Sequence, residues 1–285
     1  MKSPILYTGS KRRLINKGLI ELFPSNIDVF CDLFCGGGSI SLNIEANMYY
    51  MNDKCTQITS LLRLFQDIDP IFLLKNIEEI ILKYNLEKNV INNLRKPTEY
   101  HKERYLLLRN EYNKCKNPLY LYVLIIYSFC HQIRFNSNNE FNMPCGNGHF
   151  SKELKSIILN SNKFFNNKNY TITNNDFRVL KPCNLSENDF VYLDPPYFNT
   201  TATYNENGGW TKNDENDLYK LCEELNNNHI KFALSNVFSN KGIVNEKLIE
   251  WCEKNNWNIH YFDNFTYSAC GKGNGKTVEV LIMNY

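Results

Sequence analysis

Net charge is nearly absent. Over 285 residues, 32 Lys and Arg stand against 30 Asp and Glu, leaving a formal +2, so the composition as a whole carries no nucleic-acid signature. The ten cysteines form no Cys-x-x-Cys pair, and no Cys/His set has zinc spacing. A zinc module is therefore excluded, a disulfide framework is not expected at this size, and free thiols in a reducing cytoplasm are. The five histidines form no visible metal or catalytic set, and no metal is expected. Long apolar runs are also missing: the longest, Leu119 to Cys130, falls short of the roughly 20 residues a bilayer demands. The start, Met1 to Tyr7, leads straight into Lys11-Arg12-Arg13, so no signal-peptide core is expected. What remains is a globular chain, 43% hydrophobic, with enough apolar residues for a sizeable core.

The stretch that organises the chain is Phe190-Val191-Tyr192-Leu193-Asp194-Pro195-Pro196-Tyr197. Its first half is apolar and uncharged, which predicts a buried strand of a parallel sheet. Two prolines stop that strand, because neither donates a ladder hydrogen bond and each fixes φ. The product is a rigid turn at a carboxyl edge, where open α/β sheets bind ligands. Asp194 and the Pro195 carbonyl could accept both hydrogens of a planar amine, and Tyr197 could stack on its ring. An ordinary strand followed by a proline-rich loop is the plainer reading of these residues alone.

Upstream, Tyr7-Thr8-Gly9-Ser10-Lys11 forms a turn before an amphipathic helical pattern (Leu14, Ile15, Leu19, Ile20, Leu22), a place where amides and the Lys11 ammonium could meet an anion. Val29 to Asp32 predicts a strand, Gly36-Gly37-Gly38 a turn, and Ser39 onward a helix. Glycines let a ligand approach the backbone. The next strand, Tyr49 to Asn52, ends on Asp53, placed to accept hydrogen bonds from both ribose hydroxyls. These features describe a site for an adenosine-containing cofactor. The dinucleotide fingerprint fails at Ser41, so Phe34-Cys35-Gly36-Gly37-Gly38 suits S-adenosylmethionine, which has no pyrophosphate, better than NAD. Asp176 and Phe177, at the end of a short strand from Thr171, could place an acid and a ring around the adenine.

From Thr56 to Asn162 the strand–helix alternation lapses. Helices are predicted over 57–67, 71–84 and 99–114, with a buried helix over 119–130. Between Lys88 and Arg134, nine basic residues (88, 95, 96, 102, 104, 109, 114, 116, 134) face three acids (99, 103, 111), a local excess of six hidden in the global balance. That excess suggests a surface for a nucleic-acid backbone; a solvated helical face is the plainer alternative. His131 to Asn147 reads as a hairpin with its turn at Ser137 to Asn139. It carries Gln132, Arg134 and Asn136, side chains that can read base edges. Beyond it the alternation resumes: helices over 212–227 and 247–255, a strand over 229–237, and strands over 258–262 and 277–285 as a terminal hairpin.

Taken in order, Tyr7 to Lys11, Asp32 to Ser39, Arg134-Phe135-Asn136, Asp194 to Tyr197, Leu234-Ser235-Asn236 and Glu279 to Tyr285 resemble the Dam-type DNA adenine methyltransferases of the D12 class, phage-encoded members above all. The resemblance covers nearly the whole chain. It implies an α/β Rossmann-like S-adenosylmethionine-dependent sheet (1–56 and 164–285) with an inserted, mostly helical target-recognition domain (57–163) carrying the hairpin. The implied activity moves a methyl group from S-adenosylmethionine to the exocyclic N6 of adenine in a short site of double-stranded DNA, GATC as first guess, by base flipping. Asp194, Pro195, Pro196 and Tyr197 would hold the target base. Tyr7, Gly9, Lys11, Phe34, Gly36, Gly38, Ser39, Asp53, Asp176, Phe177, Asp194 and Tyr204 would contact the cofactor. Gln132, Arg134, Asn136 and Pro144 would touch DNA. A monomer or weak dimer in a bacterial or phage-infected cytoplasm is implied, with a cognate restriction enzyme as a partner the resemblance allows.

Two departures bear on the target. Phage-type readers of GATC carry a basic residue just past the Pro-x-Gly turn, whereas here the run is Pro144-Cys145-Gly146-Asn147-Gly148-His149. Leu6 stands where cellular relatives have a base-contacting Lys. The same turn chemistry would serve a cytosine-N4 methyltransferase, and an RNA or protein-amide methyltransferase, an NAD enzyme and an inactive DNA-binding protein are the remaining alternatives.

Overall fold

The computed structural model of the chain describes residues 1–7, 9–87, 97–197, 209–240, 242–265 and 277–285; Thr8, Lys88, Arg95, Lys96 and Tyr204, named above, lie outside the described residues. In chain order the first elements are α1 (Arg12–Ile15), β1 (Ile27–Asp32), β2 (Ala46–Asn52), α2 (Thr56–Asp67), α3 (Pro70–Lys83), α4 (Glu99–Cys115), α5 (Pro118–Tyr127) and α6 (Lys152–Asn167). They are followed by β3 (Tyr170–Thr173), β4 (Phe190–Leu193), α7 (Lys212–Asn227), β5 (Lys231–Asn240), β6 (Ile243–Val244), α8 (Glu246–Asn255), β7 (Asn258–Phe265) and β8 (Thr277–Met283). Two compact units result: residues 11–35, 43–54 and 169–285 form one, and residues 1–10, 36–42 and 55–168 the other.

The first unit is built on a mixed, mostly parallel sheet in the order β3-β2-β1-β4-β5-β8-β7, with β6 paired to β5. Strands β3, β2, β1, β4 and β5 run parallel, and β8 lies antiparallel between β5 and β7. From β1 the chain runs outward to β2 and β3, then returns to β4 on the other side of β1. The switch point between β1 and β4 is where such a sheet opens a ligand crevice. All four residues of β4 are buried, as its uncharged sequence predicts.

Register assigns the two faces. Paired residues share a face, and faces alternate along a strand. Asp32 pairs with Tyr192, Tyr192 with Ala233, Ala233 with Met283, and Val237 with Glu279. Asp32, Tyr192, Ser235 and Glu279 therefore share one face near the carboxyl ends of the parallel strands. The opposite face, with Cys31, Val191, Leu193, Phe232, Leu234, Val280 and Ile282, buries itself against Leu218, Cys222 and Leu225 of α7 and Leu248 and Cys252 of α8. Each large aliphatic side chain so buried stabilises the fold by about 1.5–3 kcal/mol.

The helix expected after Lys11 is only four residues long. It ends before Gly18, whose φ of +88° breaks the helical run, and Leu19–Leu22 continue as a 3-10 turn. The helix expected after the triple glycine is likewise a single 3-10 turn, Ser41–Asn43. A four-residue α1 offers no helix terminus for an anion, so that expectation is corrected.

The second unit is helical and centred on α5. Asn117 caps its start and Pro118 occupies its first turn, and every residue from Leu121 to Tyr127 is buried, as a helix apolar all round requires. Phe65 of α2 packs edge-on to Tyr122 of α5 at 5.5 Å and stacks on Phe165 of α6 at 6.0 Å. Helix α6 is an addition to the sequence reading. Ser151 caps it by accepting from the Leu154 N–H at 3.1 Å, and Leu154, Ile158, Ser161 and Phe165 line its buried face at helical spacing. No helix among the described residues is long and apolar enough to cross a membrane.

Candidate active site

Asp194 follows β4 immediately and is half-buried. Its Oδ1 accepts from the Lys11 ammonium at 2.8 Å. Lys11, with its side chain 5% exposed, also lies 3.5 Å from Glu279 Oε1 and donates to the Tyr197 hydroxyl at 2.5 Å. That hydroxyl stands 3.2 Å from Asp194 Oδ1 and 3.3 Å from Glu279 Oε1. One ammonium with three N–H donors thus meets three acceptors. At 4.9 Å from the ring centroid but 2.5 Å from the hydroxyl, the Lys11 nitrogen approaches the oxygen edge of Tyr197 rather than its face. The strand-ending prolines fix the short path from Asp194 to Tyr197, and this is why the two side chains can share a lysine.

Electrostatically the cluster is one cation among acids. Burial raises Asp194 above the ordinary carboxylate range, and Lys11 and the Tyr197 hydroxyl oppose that rise. Burial also raises Glu279, opposed by Lys11 and reinforced by the Asp194 charge. The Glu279 side chain is fully buried, and its Oε2 has no hydrogen-bond partner among the described residues. Beneath them, the Tyr192 hydroxyl and Ser235 Oγ are 2.9 Å apart, and burial, with the charges of Asp194, Asp32 and Glu279, keeps Tyr192 protonated. Among the described residues no group of three His, Cys, Asp or Glu could hold a metal ion.

The second strand delivers Asp53 through Asn52. The buried Asn52 amide donates to the Leu33 and Asn175 carbonyls, both at 3.0 Å, and its oxygen accepts from the Thr173 hydroxyl at 2.8 Å and the Asn175 N–H at 3.0 Å. The carboxyl ends of β1, β2 and β3 are thereby tied together, with Asp53 half-buried beside them. Phe34 and Phe177 pack at 5.4 Å between ring centroids, and Trp210 packs against both at 5.8 and 5.6 Å. Asp176 caps the turn Phe177–Val179 and is held by Lys54 at 2.9 Å and Arg178 at 3.0 Å. Burial pushes its pKa up, but these donors outweigh that and leave it lowered. The same Arg178 reaches Asp214 and Asp217, so Asp176 sits in an ion network. Glu279, Ser235, Asn52 and Trp210 were not assigned roles from sequence. A lone glutamate inside Thr-Val-Glu-Val-Leu-Ile-Met was the visible signal for the first.

In the helical unit, Tyr7 packs on the glycine turn. A Cβ on Gly36 would lie 2.8 Å from the Tyr7 ring, at a φ of +48° that side chains rarely adopt. Gly36 is thus required by Tyr7 itself. Gly38 also has positive φ, at +72°; Gly9 is exposed and Ser39 half-buried. The hairpin is real but short, with one isolated bridge between Phe135 and Phe141 and a turn at the expected tip. Its stem hangs on Asn113, which donates to the Phe141 carbonyl at 3.1 Å and accepts from the Phe141 N–H at 2.8 Å. The Asn136 oxygen accepts from the Asn138 and Glu140 N–H groups at 3.1 and 2.9 Å, and its amide donates to Glu140 at 2.9 Å. Asn136 organises the turn. Arg134 donates to the Asn142 side chain at 2.7 Å. Gln132 is half-buried and Pro144 exposed. The Pro144 carbonyl accepts from the Phe129 N–H at 2.9 Å, and Gly146 N–H donates to the Tyr127 carbonyl at 2.8 Å, serving a carbonyl left open at the end of α5.

These features define an α/β domain with acids gathered around a buried lysine at the carboxyl ends of its parallel strands, joined in one chain to a helical unit bearing an amide-rich hairpin. The profile of the D12 class N6 adenine-specific DNA methyltransferases matches residues 7–265, and the chain belongs to that family. It is 38% identical over 292 residues to the modification methylase StsI of Streptococcus sanguinis and 37% identical over 292 residues to the type II methyltransferase M.FokI of Planomicrobium okeanokoites. Each match covers all of this chain but 43% of the relative, so the chain spans about two fifths of their length. It is also 25% identical to the DNA adenine methylase of Escherichia coli K12 over 71% of this chain and 69% of that protein.

Proposed function

We propose that this chain methylates the exocyclic N6 of adenine within a short duplex DNA site, with S-adenosylmethionine as methyl donor. The observation that carries this reading is the Lys11–Asp194–Tyr197 cluster at the carboxyl end of a central strand. The residues fit the cofactor by the chemistry of the donor set. Two acids, Asp194 and Glu279, share the buried Lys11 ammonium, and Asp32 acts with them on Tyr192; this excess of negative charge suits a cationic sulfonium. Asp53 at the end of β2 suits a ribose diol, and the Phe34, Phe177 and Trp210 rings suit an adenine. When bound, the cofactor supplies an electrophilic methyl group. Tyr7, Gly9, Gly36, Gly38 and Ser39 belong to the helical unit, and the family resemblance assigns them to the cofactor as well.

The chain's own residues would act as follows. A paired adenine must leave the stack, at a cost of a few kcal/mol; stacking on the Tyr197 ring returns about 1–3 kcal/mol of it. Its amine is a poor nucleophile because the nitrogen lone pair is delocalised into the ring. Asp194 and the Pro195 carbonyl accept the two amine hydrogens and favour a pyramidal nitrogen. Positive charge grows on that nitrogen during transfer, and the Asp194 carboxylate, held by Lys11, stabilises it as a preorganised opposite charge. The proton leaves after transfer, so no strong base is needed. Gln132, Arg134, Asn136 and Pro144 serve the DNA, with the basic residues of the helical insert, and Asn136 also shapes the hairpin.

GATC is the site to look for first, although no basic residue follows the Pro144-Cys145-Gly146 turn. The test is single-molecule sequencing of DNA from a methylation-free host that expresses this chain. Modified adenine at one short motif supports the reading. Modified cytosine would point to N4 transfer, and no modification from folded protein would overturn DNA as substrate. The names of the relatives make a restriction endonuclease a partner to seek.

A further inference from the structure

We propose that Glu279 is a positioning residue for the transfer step: it accepts hydrogen bonds from the Tyr197 hydroxyl and from one Lys11 N–H, and so leaves Asp194 to accept from the substrate amine. This rests on the function proposed above. A phenol has one proton, yet the Tyr197 hydroxyl lies 3.2 Å from Asp194 Oδ1 and 3.3 Å from Glu279 Oε1. It can donate to one of them at a time. While it donates to Asp194, that oxygen already carries Lys11 and has the least capacity left for a substrate hydrogen. Turned to Glu279, the hydroxyl relieves Asp194, and the ring and the lysine keep their places because Glu279 holds both.

Position in the fold makes this role specific. Glu279 stands near the start of β8, the antiparallel strand inserted beside β5, and its pairing with Val237 puts it on the face of Asp32, Tyr192 and Ser235. Among the described residues, the charged or titratable groups acting on it are Lys11, Asp194 and Tyr197, and it shares with Asp32 and Asp194 an action on Tyr192. A fully buried carboxylate with one oxygen unpartnered is expensive unless it serves a purpose, because an unsatisfied buried polar atom costs on the order of 1–3 kcal/mol. Packing alone would be met better by a leucine.

The experiment is single-turnover methyl transfer at saturating cofactor and DNA across a range of pH, for the wild type, Glu279→Gln and Tyr197→Phe. A carboxylate beside another carboxylate ionises less readily, and one that accepts a hydrogen bond ionises more readily. Glu279→Gln removes the like charge, so the acid limb of its rate profile shifts to lower pH. Tyr197→Phe removes a donor held by Glu279 rather than by Asp194, so its acid limb stays where it is in the wild type. At the plateau Glu279→Gln is about tenfold slower, well within the hundredfold that a 1 Å misplacement can cost, with cofactor and DNA affinities within about threefold of wild type. A Glu279→Gln limb that stays put, or a Tyr197→Phe limb that moves to higher pH, overturns the proposal. Should Glu279→Gln fail to fold, the Tyr197→Phe profile decides: a limb moved to higher pH is fatal. A wild-type protein that transfers no methyl group to DNA would instead overturn the underlying function.

Discussion

Replacing Lys11 by Met keeps the length and apolar stem of the side chain and deletes its charge. In the wild type the ammonium is 2.8 Å from Asp194 and 3.5 Å from Glu279, in a site where its own side chain is 5% exposed. At an effective dielectric of about 20, these two attractions amount to roughly 6 and 5 kcal/mol gross. Desolvating the lysine consumes much of that, but the variant leaves a fully buried and a half-buried carboxylate uncompensated, and breaking a buried pair in this way costs about 3–5 kcal/mol. The cost depends on pH. Both carboxyls ionise above the ordinary range because burial disfavours their charge, and Lys11 opposes the rise. A group whose pKa is raised by folding favours the folded state at low pH and loses that advantage as pH rises through its folded value. Removing Lys11 raises both groups further, so the deficit is small at about pH 5 and opens to its full size by about pH 8. Urea melts of wild type and Lys11→Met at the two pH values measure it. A deficit independent of pH, or below about 1 kcal/mol at pH 8, would refute the claim that the lysine holds both carboxylates.

Two further outcomes follow from the helical unit. Gly36→Ala places a Cβ 2.8 Å from the Tyr7 ring at positive φ and should lower stability by about 1–3 kcal/mol; in a Tyr7→Ala background only the backbone part, on the order of 1 kcal/mol, should remain in thermal melts. Asn136→Ala deletes the acceptor of the Asn138 and Glu140 N–H groups. Hydrogen exchange at those two amides should speed about fivefold, matching the loss of roughly 1 kcal/mol per bond, while global stability changes little.

Much of this architecture was legible because its physics is local. The uncharged β4 run, the two prolines behind it and the apolar faces of α2 to α5 each declare their element within a dozen residues. The strand ending on Asp53 and the antiparallel β7–β8 pair were readable for the same reason. Where the reading failed, the deciding fact was distant or conformational. Gly18 takes φ +88° and cuts short a helix whose apolar spacing was faultless. Helix α6 hides its buried face among Asn and Lys. The insertion of β8 between β5 and β7, which carries Glu279 to Lys11, leaves no trace in the order of residues. Asn136 shows what residue type leaves out: besides the DNA contact expected of it, its amide organises its own turn.

The most direct measurement is single-turnover methyl transfer to duplex adenine by Asp194→Ala beside the wild type, with cofactor and DNA affinities determined in parallel. The account predicts a loss of at least about 10³-fold in the transfer rate, as expected for removing a preorganised charge from the reacting atom. DNA binding should be nearly unchanged, and Lys11 should still be held by Glu279. Transfer within about tenfold of wild type would contradict the assignment of Asp194 and the mechanism built on it.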